Sequence, residues 1–117
     1  MIKCISIDDD KLFLVNLTMQ FEQIKSAELI ATFDNPVEGI MACVKLKPDV
    51  LLLDYEMPYL DGLDAIEVME EKPKIIMISA HMSGPKTLDL PVDGFISKLK
   101  IESPSQIEAV IKEVMSK

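Results

Sequence analysis

Apolar residues fall into two alternating rhythms along this chain. Short runs that are apolar almost without interruption lie at Ile2–Ile7, Leu29–Phe33, Val50–Leu53 and Ile75–Ile78, with a shorter one at Phe95–Ile96. Runs of this kind, rather than alternating ones, suit parallel strands covered on both faces. Between them apolar residues recur at steps of three and four, the period of a helix with one inward face. The first such set is Leu14, Leu17, Phe21 and Ile24. The second, Val37, Ile40, Met41 and Val44, follows Asn35-Pro36, a good N-cap with proline at the first helical position. A third runs from about Leu63 to Glu71 with Ile66 and Met69 inward. The last opens on Ser103-Pro104-Ser105-Gln106, the form of a capping box, and places Ile107, Val110, Ile111 and Val114 on one side. Strands alternating with helices predict an α/β fold, a doubly wound parallel sheet with helices on both faces. Only the stretch SAHMSGPKTLDLPVDG breaks the rhythm. Gly84-Pro85 and Pro91 argue for a loop or a short, irregular fourth helix there.

Composition narrows the class. A chain of 117 residues, 49% of them apolar, is one domain's worth and can bury an ordinary core. A net charge of −8 argues against direct binding to nucleic acid or an anionic membrane surface, which needs clustered Lys and Arg. The longest apolar runs are too short to span a bilayer, and no charged-then-apolar leader precedes Asp8. Cys4 and Cys43 lack metal or redox spacing and read as reduced core side chains, the methionines as core gap-fillers. The expected setting is cytoplasmic.

Chemistry enters at the strand ends. In open α/β sheets ligands bind beyond the carboxyl ends of the strands, where the winding reverses. There the first strand delivers Asp8 and Asp9, the third Asp54, the fourth Ser79, and just past the fifth comes Lys98. If the first and third strands are neighbours, three carboxylates converge with a hydroxyl and an ammonium. Clustered carboxylates are costly unless protonated or neutralised. Mg²⁺ is the natural partner, a hard cation that binds oxygen and usually keeps places for phosphate oxygens. Beside it, the Asp54 carboxylate is a candidate nucleophile toward phosphorus, with Lys98 and the Ser79 hydroxyl taking the remaining phosphoryl oxygens. Asp10 is expected to cap the first helix, and Asp61-Gly62 reads as a turn without chemistry.

These elements, SIDDD after the first strand, DVLLLDYEMPYLDG around the third, ISA after the fourth and GFISK at the fifth, resemble the receiver domains of two-component response regulators over essentially the whole chain. The resemblance implies a flavodoxin-like (βα)5 fold of three layers with strand order 2-1-3-4-5. It implies phosphorylation on Asp54, with Mg²⁺ held by Asp8, Asp9, Asp54 and the backbone carbonyl of Glu56. Ser79, Ala80 and Lys98 would bind the phosphoryl group, and Ser79 with the aromatic Phe95 would switch. Glu56 and His81 would flank the phosphoryl group and tune its lifetime. The donor would be a histidine kinase or a histidine phosphotransfer protein, the downstream target is not specified, and a homodimer is compatible with the pattern. The short fourth-helix region is most similar to receivers that precede LytTR-type DNA-binding domains. The expectation is a single receiver domain over residues 1–117, with no output domain in this chain and no enzymatic activity beyond its own phosphorylation and dephosphorylation.

Two departures from the family pattern stand out. The family lysine is normally followed by proline through a cis bond, whereas Lys98 is followed by Leu99, which leaves Lys100 as a rival. The irregular fourth-helix region also removes the usual partner surface from consideration. Two other readings compete: a receiver-like docking module that no longer accepts phosphate, and a Mg²⁺-dependent phosphohydrolase using Asp8 in a DxD motif. The second lacks the cap domain and later acidic residues such enzymes need.

Overall fold

A computed structural model describes residues 1–57, 67, 69–80 and 92–117. The apolar runs form strands β1 (Ile2–Ile7), β2 (Ala27–Phe33), β3 (Val50–Asp54), β4 (Lys74–Ser79) and β5 (Gly94–Ser97). Every pairing is parallel and the order is β2-β1-β3-β4-β5, the doubly wound arrangement expected. Helices α1 (Lys11–Phe21), α2 (Pro36–Leu46) and α3 (Pro104–Met115) are described along their whole length, with a 3-10 turn at Lys98–Lys100. The expected helix around 63–71 and the irregular stretch at 81–91 fall almost wholly outside the described residues, as do Asp61, Gly62 and His81. Met69 is described, and it is buried.

Why each run is apolar throughout is visible in how its residues divide. Along β1, Cys4 joins the core beneath α1 and α3, whereas Ile5 and Ile7 join the one beneath α2. Along β3, Leu52 goes to the first and Leu51 and Leu53 to the second. A strand whose alternate residues meet two different cores has no face left for polar residues. Leu17 and Phe21 of α1 and Ile107, Ile111 and Val114 of α3 fill the first core, with Val110 half-buried at its edge.

Helix α1 is capped by Asp10, whose Oδ1 accepts from the N–H groups of Leu12 (3.0 Å) and Phe13 (3.2 Å). Asn35 caps α2 in the same way, accepting from Val37 (2.9 Å) and Glu38 (3.2 Å), with Pro36 at the first position. At the start of α3 the Gln106 side chain reaches back to the Ser103 N–H at 3.1 Å. Helix α2 ends at Lys47, in the left-handed region at φ 49°, immediately before Pro48.

On α2 the structure corrects the sequence reading. Ile40 faces inward, but Val37, Met41 and Val44 are exposed, and the buried face is Pro36, Gly39, Ile40 and Cys43. The reason is close approach. A Cβ on Gly39 would lie 2.5 Å from Ile7 Cδ1, so the bare glycine lets the helix settle onto β1 along its own row. That row wins over the larger apolar one because contact depth, not residue size, decides which face buries. The methionines also divide: Met57, Met69 and Met77 are core, whereas Met1, Met19, Met41 and Met115 are exposed.

Candidate functional site

Strand register brings the chemistry together. Ile7 pairs with Leu53, so the next residues along, Asp8 and Asp54, leave the sheet side by side. Asp54 pairs with Ile78 and Ser79 with Ser97, so the hydroxyl and then Lys98 follow at the same edge. Asp8, Asp54 and Ser79 are all buried, among very few polar side chains in the core. Carboxylate oxygens of Asp8, Asp9 and Asp54 lie within 4.8 Å of one another, with Asp9 exposed.

Among the described residues a single cation reaches this group. The Lys98 ammonium stands 3.0 Å from Asp8 Oδ1 and 2.9 Å from Oδ2, and 3.9 Å from Asp54 Oδ2. Its rival Lys100 is exposed. No peptide bond among the described residues is cis, so Lys98 arrives at the site through a trans bond to Leu99 and the 3-10 turn that follows. Sequence reasoning missed what steadies it: Lys98 Nζ lies 4.5 Å above the ring centroid of Phe13, on the first turn of α1. A phenylalanine three residues past a capping aspartate carries no chemical signal of its own, and it falls outside the inward row of α1.

The remaining hydrogen bonds set the carboxylates. Asp8 Oδ1 accepts from the Asp10 N–H at 2.9 Å and Asp54 Oδ1 from the Glu56 N–H at 3.2 Å. The Ser79 hydroxyl donates to Glu56 Oε1, a contact that no pattern of residues signals. Phe95, beside Met77 in the sheet, is half-buried against the core beneath α2.

Electrostatics explain why the cluster wants a cation. Burial first, and the Asp8 charge second, push the Asp54 carboxyl up to about 8. Burial also raises Asp8, against the pull of its hydrogen bonds from Lys98 and the Asp10 N–H. Burial pulls Lys98 down, but its hydrogen bond to Asp8 and the charges of Asp8 and Asp54 outweigh this and leave it above its ordinary value. One ammonium against three carboxylates leaves the site short of positive charge. Asp8 Oδ2 is completely buried, and its partner among the described residues is the Lys98 ammonium at 2.9 Å. Three hard oxygen donors, two of them on buried carboxylates that share one ammonium, fit a divalent cation of the magnesium type.

Comparison with known proteins places the chain. The family model described as response regulator receiver domain matches residues 4–112. The chain is a response regulator receiver domain. The receiver is 38% identical over 82 residues to the transcriptional regulatory protein BtsR of Escherichia coli, covering 68% of this chain and 34% of that protein. It is 28% identical over 123 residues to a protein-glutamate methylesterase/protein-glutamine glutaminase of Koribacter versatilis, covering 99% of this chain and again 34% of that protein. The receiver thus spans about a third of the length of these curated relatives. In fold it is similar to the response regulator domain of Thermotoga maritima CheB, with a TM-score of 0.82 at 22% identity, 98% of this chain and 97% of that one being covered. Among the described residues no helix is long and apolar enough to cross a membrane.

Proposed function

We propose that this receiver accepts a phosphoryl group on Asp54 and passes the event on as a change of shape. The observation that carries the reading is the convergence of Asp8, Asp9 and Asp54 around an edge where, among the described residues, Lys98 is the one cation. Asp8, Asp9 and Asp54, with the Glu56 backbone carbonyl, would hold Mg²⁺, which when bound supplies the missing positive charge and orients phosphoryl oxygens.

The chain's own groups do the rest. An Asp54 carboxylate oxygen attacks phosphorus of a phosphohistidine on a histidine kinase or a histidine phosphotransfer protein. The P–N bond breaks, its electron pair returns to the imidazole, and an acyl phosphate is left on Asp54. Lys98, already 3.9 Å from Asp54, pairs with a phosphoryl oxygen. Ser79 and the backbone at Ala80 take another, and Phe95 follows Ser79 inward, which alters the face around β4 and β5. Glu56 and His81 set how long the phosphoryl group lasts. The family match over nearly all of the sequence supports treating residues 1–117 as one such unit, acting in the cytoplasm. The names of the relatives support a role upstream of transcriptional control or of methylesterase activity in a longer protein.

Acetyl phosphate with Mg²⁺, followed by intact-mass measurement, tests this. A labile single-phosphoryl adduct that disappears in Asp54→Ala is expected. No adduct on the wild type, or one that persists in the variant, would overturn the reading.

A further inference from the structure

Of the features the proposed chemistry leaves unused, the contact between Ser79 and Glu56 goes furthest. Glu56 touches the site twice. Its backbone N–H donates to Asp54 Oδ1 at 3.2 Å, and its side chain accepts the Ser79 hydroxyl. The strand ends hold this geometry, because the Tyr55 N–H donates to the Ile78 carbonyl at 2.9 Å and ties the residue before Glu56 to the residue before Ser79. Ser79 is fully buried, so bulk water does not compete for its proton.

A hydroxyl has one proton to give. Where it goes to Glu56 Oε1, it is not given to an oxygen on Asp54. We propose that the Glu56 side chain is a latch: it holds Ser79 in the unphosphorylated arrangement, and a phosphoryl group must take the Ser79 proton from it before the switch can move. This rests on Asp54 being the phosphoryl acceptor. It assigns Glu56 a positioning role on the resting state, separate from any effect on phosphate lifetime. Its consequence is a threshold, since part of the affinity for the phosphoryl group goes into displacing a charge-assisted hydrogen bond.

The latch predicts a specific non-additivity. Beryllofluoride with Mg²⁺ stands in for the phosphoryl group on the carboxylate. Glu56→Ala should bind it about tenfold more tightly than the wild type, the scale set by one hydrogen bond to a charged group. In Ser79→Ala the hydroxyl is gone, so adding Glu56→Ala should change the affinity by less than about twofold. In the absence of beryllofluoride, the Phe95 ring resonances of Glu56→Ala should already move toward their positions in the beryllofluoride-bound wild type. If Glu56→Ala tightens binding equally in both backgrounds, the effect is plain charge repulsion and the latch is overturned. Unchanged affinity with unchanged Phe95 resonances overturns it as well. A wild type that binds no beryllofluoride at all overturns the acceptor reading instead, and the latch with it.

Discussion

Replacing Asp54 by asparagine should make the metal-free protein more stable, although it alters a buried and hydrogen-bonded residue. The distances set the size of the effect. Asp8 and Asp54 oxygens lie within 4.8 Å, a repulsion of at least about 3.5 kcal/mol at an effective dielectric near 20. Against it stands the attraction of Lys98 at 3.9 Å, about 4 kcal/mol on the same scale. These nearly cancel, so desolvation decides, and burying a carboxylate costs several kcal/mol. Asparagine keeps an oxygen for the Glu56 N–H and sheds the charge. The net expectation is a gain of about 2 kcal/mol without divalent cations, or roughly 5–10 °C in Tm for a chain of this size.

The pH dependence follows with a definite sign. The folded-state value for Asp54 is raised to about 8, against about 3.9 in an unfolded chain. A carboxyl raised in this way leaves the native state holding more protons than the unfolded state, so stability is full below about pH 4 and declines as pH rises toward 8. Lys98, raised above its ordinary value, stays charged throughout that window. Urea unfolding followed by far-UV circular dichroism, which suits a chain without tryptophan, checks this in EDTA and in Mg²⁺. The wild type should lose stability from pH 4 to 8 in EDTA and regain about 2.7 kcal/mol when Mg²⁺ stands at a hundred times its dissociation constant. Asp54→Asn should show a shallower decline and a smaller Mg²⁺ response. An asparagine variant no more stable than the wild type in EDTA at pH 7.5, with an equal response to Mg²⁺, would refute the account of the site as a charge cluster awaiting a cation.

Phe13→Leu should weaken beryllofluoride binding about threefold, with Phe13→Tyr restoring it, if the ring steadies Lys98 through its face; calorimetric titration decides. Gly39→Ala should destabilise by about 1–3 kcal/mol in urea despite alanine's better helix propensity, because its methyl would meet the buried Ile7 side chain. On the same helix Met41→Gln should cost less than about 0.5 kcal/mol and Ile40→Ala about 2–4 kcal/mol, and the reverse order would restore the face suggested by the sequence. Cys4 and Cys43 should resist thiol reagents at pH 8 until the chain is unfolded, since burial pushes their thiols up to about 12 and about 11; Ellman titration with and without urea measures it.

Which of these features could be read from the sequence depends on whether one residue carries the signal alone. The strands could be read, because a strand buried on both faces disfavours polar residues at every step, and β1 and β3 follow that from Cys4 to Ile7, with Ser6 the one exception, and from Val50 to Leu53. The acidic cluster could be read for the opposite reason. Charge at the end of a buried strand has no packing explanation, and parallel register then fixes which residues meet. The face of α2 could not be read, because its cause is a missing side chain: Gly39 contributes nothing to an apolar pattern, yet its closeness to Ile7 sets the rotation of the whole helix and leaves Val37, Met41 and Val44 outside. The contact of Phe13 with Lys98 and that of the Glu56 side chain with Ser79 were hidden in a related way. Each matters through a partner distant in sequence, Lys98 in one case and Ser79 in the other. The sequence names the groups that meet the phosphoryl chemistry, while the groups that aim them emerge only when the strand ends are laid side by side. The resting positions of Lys98 and Ser79 therefore belong to pairs, and substitutions at Phe13 and Glu56 should act through those pairs.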